Sequence, residues 1–161
     1  MRVRLLTKNG HDWTSRYLWI VEAALKIRSP RFLIDGEAVL LGVDGVSDFN
    51  GLHSRRHDDQ VQLYAFDLLA SDEGDLRSLP LSMRKTNLAR LLARRSDGIF
   101  VAPFEQGEIG PPALRKACEF GLEGLVSKRR DSAYRADRSP SWVKVTNRAH
   151  PAMERVKESF K

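Results

Sequence analysis

Four short stretches of this chain carry side chains suited to handling a phosphorylated nucleotide. Asp35-Gly36-Glu37 falls in an apolar run rich in β-formers. Residues two apart on a strand share a face, so Asp35 and Glu37 are expected to point the same way, with the glycine between them letting a ligand approach the backbone. A carboxylate pair of this kind can bind a ribose hydroxyl, hold Mg2+, or act as acid and base. A β-turn bearing two solvated acids fits the same residues, because Asp-Gly is a common turn signal. In Tyr64-Ala65-Phe66-Asp67 the alternation puts Tyr64 and Phe66 on one face and Asp67 on the other. An aromatic ring on a sheet can stack on a purine or simply pack a core. An acid in an apolar run needs a partner or a metal. Glu123-Gly124-Leu125-Val126-Ser127-Lys128 begins with an acid and ends with a cation five positions on. A regular strand would send these two to opposite faces; they reach one site if it ends or twists near Lys128. Trp142-Val143-Lys144 sets Trp142 and Lys144 on a common face, where the lysine can neutralise a phosphate and the charge that builds up in phosphoryl transfer. Either lysine taken alone reads better as a solvated surface cation than as a ligand.

These residues need elements to position them. Val3, Leu5 and Thr7 alternate with polar residues as in a strand, and Asn9-Gly10 is a tight-turn signal. A helix is expected next, capped by Asp12 or Thr14, with Leu18, Val21 and Leu25 on its buried face and Ser29-Pro30 at its end. Phe32 to Leu41 reads as a strand with Asp44-Gly45 as its turn, and Phe49 to Asp59 as a loop with a short helix. Val61 to Leu69 is dense in apolar residues, as a central strand is. A helix capped by Ser82 follows, with Leu88, Leu91 and Leu92 as its stripe. Ile99, Val101 and Phe104 lie on a further strand. Gly110-Pro111-Pro112 opens a helix through Phe120, with Gly121 at its C-cap. Leu122 to Ser127 and Trp142 to Val145 are the last strands. Met153, Val156 and Phe160 have helical spacing. Strands and helices mixed in this irregular order predict an α+β fold.

The chain has 161 residues, the size of one domain or most of a larger one. Its net charge of +6 and pI near 9.8 suit a polyanionic partner, either nucleic acid or a nucleotide triphosphate. Arg55-Arg56, Arg94-Arg95 and Lys128-Arg129-Arg130 are the local concentrations of charge. No apolar stretch approaches the ~20 residues that span a bilayer, so no membrane association is expected. The single cysteine, Cys118, excludes an internal disulfide, fits a reducing cytoplasm, and reads as a small packed hydrophobe. Neither Gly-x-Gly-x-x-Gly nor a Walker-type lysine motif occurs, against Rossmann and P-loop nucleotide sites.

In their order and spacing the four motifs resemble those of the adenylation domain of ATP-dependent DNA ligases, and among these the ligase module of bacterial non-homologous end joining. The resemblance extends to Thr7-Lys8-Asn9-Gly10-His11-Asp12-Trp13-Thr14, to Phe66-Asp67-Leu68-Leu69, and to Leu79-Pro80-Leu81 with Arg84. It implies a partial nucleotidyltransferase (ATP-grasp-like) adenylation domain over residues 1–150, of mixed and antiparallel sheets with flanking helices, and a helical lead-in at 151–161 to an absent oligonucleotide-binding domain. It implies ATP and Mg2+ as cofactors, ATP or AMP and nicked or broken duplex DNA as partners, and strand joining in repair and recombination. Residue by residue, Glu37 would contact the AMP ribose or a metal-bound water. Phe66 would stack on adenine, Glu123 would organise Mg2+, and Lys128 and Lys144 would hold the α-phosphate. Lys8 stands where relatives often carry arginine near the nucleotide and nick phosphates; lysine acts there as a point charge rather than a bidentate fork.

Two departures bear on activity. The family's series opens with Lys-x-Asp-Gly, whose lysine attacks ATP, and no such motif occurs between Met1 and Lys161. The last motif, usually Trp-x-Lys-x-Lys, here ends in Thr146. The expectation is an internal piece of a ligase, from a truncated gene, a misplaced start or a split protein, unable to adenylate itself. A non-catalytic basic DNA-binding module and a relative among RNA ligases or mRNA-capping enzymes are the alternatives.

Overall fold

Strand β2 (Gln62–Ser71) is the hub of the fold. It pairs antiparallel with β1 (Leu33–Val39) and β3 (Gly74–Asp75), and parallel with β4 (Ile99–Val101). Its apolar density is what a strand with neighbours on both edges requires. A second, two-stranded antiparallel sheet joins β5 (Gly124–Lys128) to β6 (Trp142–Thr146). Helices α1 (Leu18–Leu25), α2 (Phe49–Ser54), α3 (Leu81–Leu91) and α4 (Pro111–Glu119) complete the α+β architecture. The structure, a computed structural model, describes residues 2–94, 97–107, 110–119, 122–136, 139–148 and 150. The expected end of α4 at Phe120 and Gly121, and the segment 151–161 with Met153, Val156 and Phe160, lie outside them. Among the described residues no helix is long and apolar enough to cross a membrane.

The core forms where α1 meets the larger sheet. Tyr17, Ile20, Ala23, Ala24 and Ile27 pack with Val61, Ala65, Leu68, Leu88 and Ile99. The buried face of α1 is therefore not the expected one: Leu18 and Leu25 are 59% and 49% exposed. Between Leu18 and Leu25 only Glu22 is charged, so the apolar pattern runs round the helix and cannot choose a face. The alanines win because they admit close packing. A Cβ on Gly98, whose φ is +107°, would stand 3.1 Å from the Ala23 Cβ.

Other local expectations shift for stated reasons. Asp12 and Thr14 do not cap α1; the Asp12 carboxylate accepts from the Thr14 amide at 2.9 Å and from its hydroxyl, closing a turn ahead of the helix. Val3 to Thr7 form no strand, although Leu6 bridges Asp12 across the Asn9-Gly10 turn. Ser82 is not the cap of α3. The amides of Leu81 and Ser82 donate instead to the carbonyls of Ser132 and Arg130, each at 3.0 Å, so the loop before β6 satisfies the helix start. Phe104 lies beyond β4 and is 47% exposed. Cys118 is exposed; on α4 it is Ala117 that turns inward.

Candidate functional site

The two sheets approach each other at Phe66 and Lys128. Between Asp35 and Gly36 the β1–β2 register slips: Asp35 faces Asp67, Gly36 faces Ala65, and Phe66 has no direct partner. A slip of this kind breaks strict alternation. Phe66 and Asp67, expected on opposite faces, consequently act on the same region. Lys128 Nζ lies 4.3 Å from the Phe66 ring centroid, and Asp67 is the leading charge that favours the protonated Lys128. Gly36 allows a close approach, but of β2 rather than of a ligand: a Cβ there would sit 2.8 Å from the Tyr64 carbonyl oxygen.

Lys128 and Trp142 are direct cross-strand partners on β5 and β6, and the ammonium lies 4.2 Å from the Trp142 ring centroid. The cation is thus flanked by one ring from each sheet. Burial pushes the Lys128 pKa down; Asp67 and Asp35 oppose that shift, while Lys85 and Arg84 add to it. Burial likewise raises the Asp35 carboxyl, with Lys128 pulling it back down and Asp67 adding to the rise. Tyr134 links Asp35 to Trp142, its hydroxyl 3.5 Å from Asp35 and its ring edge-on to Trp142 at 6.1 Å.

Glu37 takes a different set of neighbours. Glu123 stands one residue before β5, so strand alternation does not bind it, and it reaches the side chain of Lys144, the cross-strand partner of Val126. Its position is fixed by the Asn147 amide, which donates to the Glu123 carbonyl at 2.7 Å. Lys144 Nζ pairs with Glu123 Oε1 at 3.1 Å. Glu37 is open to solvent on one side, yet the surrounding protein raises its pKa, Glu123 adds to that rise, and Lys144 opposes it. The structure thus brings together Glu37, Phe66, Glu123, Lys128 and Lys144 along the facing sides of the two sheets. Lys8 is exposed in the turn between Thr7 and Gly10.

Beneath this cleft lies a buried layer that the sequence did not disclose. Asp67 and Arg84 are fully buried and joined by two hydrogen bonds of 2.8 and 2.9 Å. Arg84 also donates to the carbonyls of Leu79 and Ser132. Next to it, Lys85 Nζ donates to the Phe66 carbonyl at 3.3 Å and sits 4.0 Å from the Phe104 ring centroid. The isolated acid in β2 signals that a partner exists, but not which one. Tyr134 carries only a faint signal, as a ring within a basic loop.

Glu37 and Glu123 suit a metal shared with phosphates. No group of three or more His, Cys, Asp or Glu side chains forms a cation cage among the described residues. Mg2+ commonly takes one or two carboxylates and completes its shell with substrate phosphates and water. Loss of solvent raises Glu37 first and repulsion from Glu123 adds to it; a cation between the two carboxylates relieves the second of these.

Residues 1–146 match the family described as ATP dependent DNA ligase domain. The chain is 36% identical over 146 residues to the multifunctional non-homologous end joining protein LigD of Pseudomonas aeruginosa, covering 89% of this chain and 17% of that protein. Against the ligase domain of M. tuberculosis LigD it is 33% identical with a TM-score of 0.76, covering 90% of this chain and 47% of that one. A mycobacterial DNA ligase D complexed with ATP and MES superposes with a TM-score of 0.77 at 33% identity, covering 89% and 47%. The chain thus spans less than a fifth of the LigD sequences it matches, 17% and 18% for the two proteins from Pseudomonas aeruginosa and Mycobacterium bovis. Motif order, sheet arrangement and sequence likeness converge: the chain belongs to the ATP-dependent DNA ligase family, as an adenylation domain of the non-homologous end-joining type.

Proposed function

We propose that the cleft between the two sheets binds ATP or AMP, and that these 161 residues do not by themselves form the covalent lysyl-AMP of the full reaction. The observation that carries the first part is convergence. Glu37 from β1, Phe66 from β2, Glu123 and Lys128 from β5 and its approach, and Lys144 from β6 meet along one cleft although they span more than a hundred positions. In this reading adenine lies against Phe66, Glu37 accepts from the ribose, and Lys128 and Lys144 donate to the α-phosphate. Mg2+, held by Glu123 and Glu37 with the phosphates, would supply charge neutralisation for the departing pyrophosphate. Lys144 gives up Glu123 when phosphate arrives, which keeps both charges compensated.

The second part rests on the missing Lys-x-Asp-Gly. Attack on the α-phosphorus needs a nucleophile in line with the leaving pyrophosphate. Lys128 and Lys144 flank the phosphate site as counter-charges instead. Duplex DNA is the expected partner of the basic surface, through phosphate contacts. The test is calorimetric titration with AMP and ATP, followed by incubation with α-labelled ATP and Mg2+. Binding without a stable protein-AMP adduct is expected. An adduct on this chain would overturn the second part, and no nucleotide binding would overturn the first.

A further inference from the structure

The two lysines of the cleft are held in unlike ways. Lys144 forms an ion pair with Glu123 at 3.1 Å. Among the described residues Lys128 has no ion-pair or hydrogen-bond partner; its ammonium rests between rings, 4.3 Å from Phe66 and 4.2 Å from Trp142. The rings come from different sheets, and Tyr134 backs Trp142 edge-on. Tyr134 is itself anchored, its amide donating to the Arg77 carbonyl at 2.8 Å. A ring face attracts a cation without consuming its N–H donors. A carboxylate would fix the cation too, but each bond to it must break before phosphate can take its place.

We propose that Trp142 is a positioning residue: with Phe66 it clamps the Lys128 ammonium across the two sheets, holding it ready to donate to the nucleotide phosphate with its N–H groups unspent. This rests on the nucleotide-cleft reading and adds to it a division of labour. Lys128 is pre-set, whereas Lys144 exchanges one anion for another. The charges around Lys128 are Asp35 on β1, Asp67 on β2, and Arg84 and Lys85 on α3. Removing the indole leaves all four in place, so a change in Lys128 on that substitution reports the ring.

The experiment uses the whole chain with isotopically labelled lysine. In the nucleotide-free protein, NMR is expected to show the Lys128 ε-methylene shifted upfield by the ring currents, assigned by its loss in Lys128→Met. Trp142→Leu should move that signal toward the exposed-lysine position, and Trp142→Phe should restore most of the shift. AMP affinity should fall roughly fivefold in Trp142→Leu, the scale of a partly desolvated cation–π contact. It should fall no further when Trp142→Leu is added to Lys128→Met. An unshifted Lys128 in the native chain overturns the clamp while leaving the nucleotide reading intact. Full additivity of the two substitutions overturns the positioning role. Absence of AMP binding to the native chain overturns both proposals together. Trp142→Phe also guards the test against misfolding, since a ring that merely fills space would restore the melting temperature without restoring the Lys128 shift.

Discussion

Arg84 and Asp67 form a fully buried bidentate ion pair, Nε to Oδ1 at 2.8 Å and Nη2 to Oδ2 at 2.9 Å, that ties α3 to β2 at the residue next to Phe66. The remaining guanidinium nitrogen donates to the carbonyls of Leu79 and Ser132, so the same side chain holds the loop that leads toward β6. Removing one member strands the other charge in the interior. Arg84→Met or Asp67→Asn is expected to destabilise the chain by about 3–5 kcal/mol in urea denaturation. The double variant Asp67→Leu/Arg84→Met should recover part of that loss, but not all, because two buried carbonyls lose their donor. A single substitution that leaves the midpoint unchanged would contradict the pair's structural role.

Glu37 gives a pH-dependent expectation. Its carboxyl is raised above the ordinary 4.5, first by loss of solvent and then by Glu123. A carboxyl whose pKa is higher in the folded than in the unfolded state holds its proton more tightly when folded. Its ionisation therefore costs stability, and the penalty is complete above the folded value and absent below the unfolded one. Glu37→Gln should accordingly raise the melting temperature at pH 7, modestly because the group is open to solvent. That advantage should shrink as pH falls through the raised pKa toward 4.5. Thermal melts of both proteins from pH 7 to pH 4 check the sign. An advantage that grows on acidification would show that Lys144 dominates Glu37 instead.

The cleft residues were legible because their types recur in a fixed order along the chain, so Glu37, Phe66, Glu123, Lys128 and Lys144 could be named before any fold was known. Their mode of assembly was not legible. Strict alternation put Phe66 and Asp67 on opposite faces, and a one-residue slip opposite Asp35 undid that. Arg84 was visible as part of a matching block, but its partner lies 17 positions away on another element. Tyr134 reaches Asp35 across 99 positions, a separation no local pattern encodes. The start of α3 failed for the same reason: Ser82 looked like a cap, while the acceptors of the first amides belong to Arg130 and Ser132. The face of α1 failed for a different one, since a helix apolar on nearly every side carries no direction.

Thr146 allows a gain-of-binding test. At the end of β6 it pairs with Gly124 of β5, two positions beyond Lys144, where the family's last motif usually carries a second lysine. The hydroxyl can donate a hydrogen bond but brings no charge. A charge-assisted contact to phosphate contributes about 1.5–3 kcal/mol. Thr146→Lys is therefore expected to tighten AMP binding about tenfold or more, with little effect on adenosine. Calorimetry with the two ligands separates the cases. Equal gains for both would place the new side chain away from the phosphate.

The basic loop after α2 provides the test of DNA contact. Arg55 and Arg56 are exposed, and among the described residues neither side chain has an acidic partner. Arg55 holds a left-handed backbone, φ 60°, at the C-cap of α2, which turns the chain outward there. Asp58, nearby, is already engaged by Arg16 at 2.8 Å and so does not neutralise the pair. Two such cations at a DNA backbone should each release a counterion on binding. The double substitution Arg55→Gln/Arg56→Gln is expected to lower the slope of log K against log salt by about 2, with similar losses on every duplex sequence. AMP affinity should stay unchanged, because among the described residues neither side chain is bonded to Glu37, Phe66, Glu123, Lys128 or Lys144. Fluorescence anisotropy with nicked and intact duplexes over a salt series reads both numbers, and an unaltered slope would assign the basic surface to some partner other than nucleic acid.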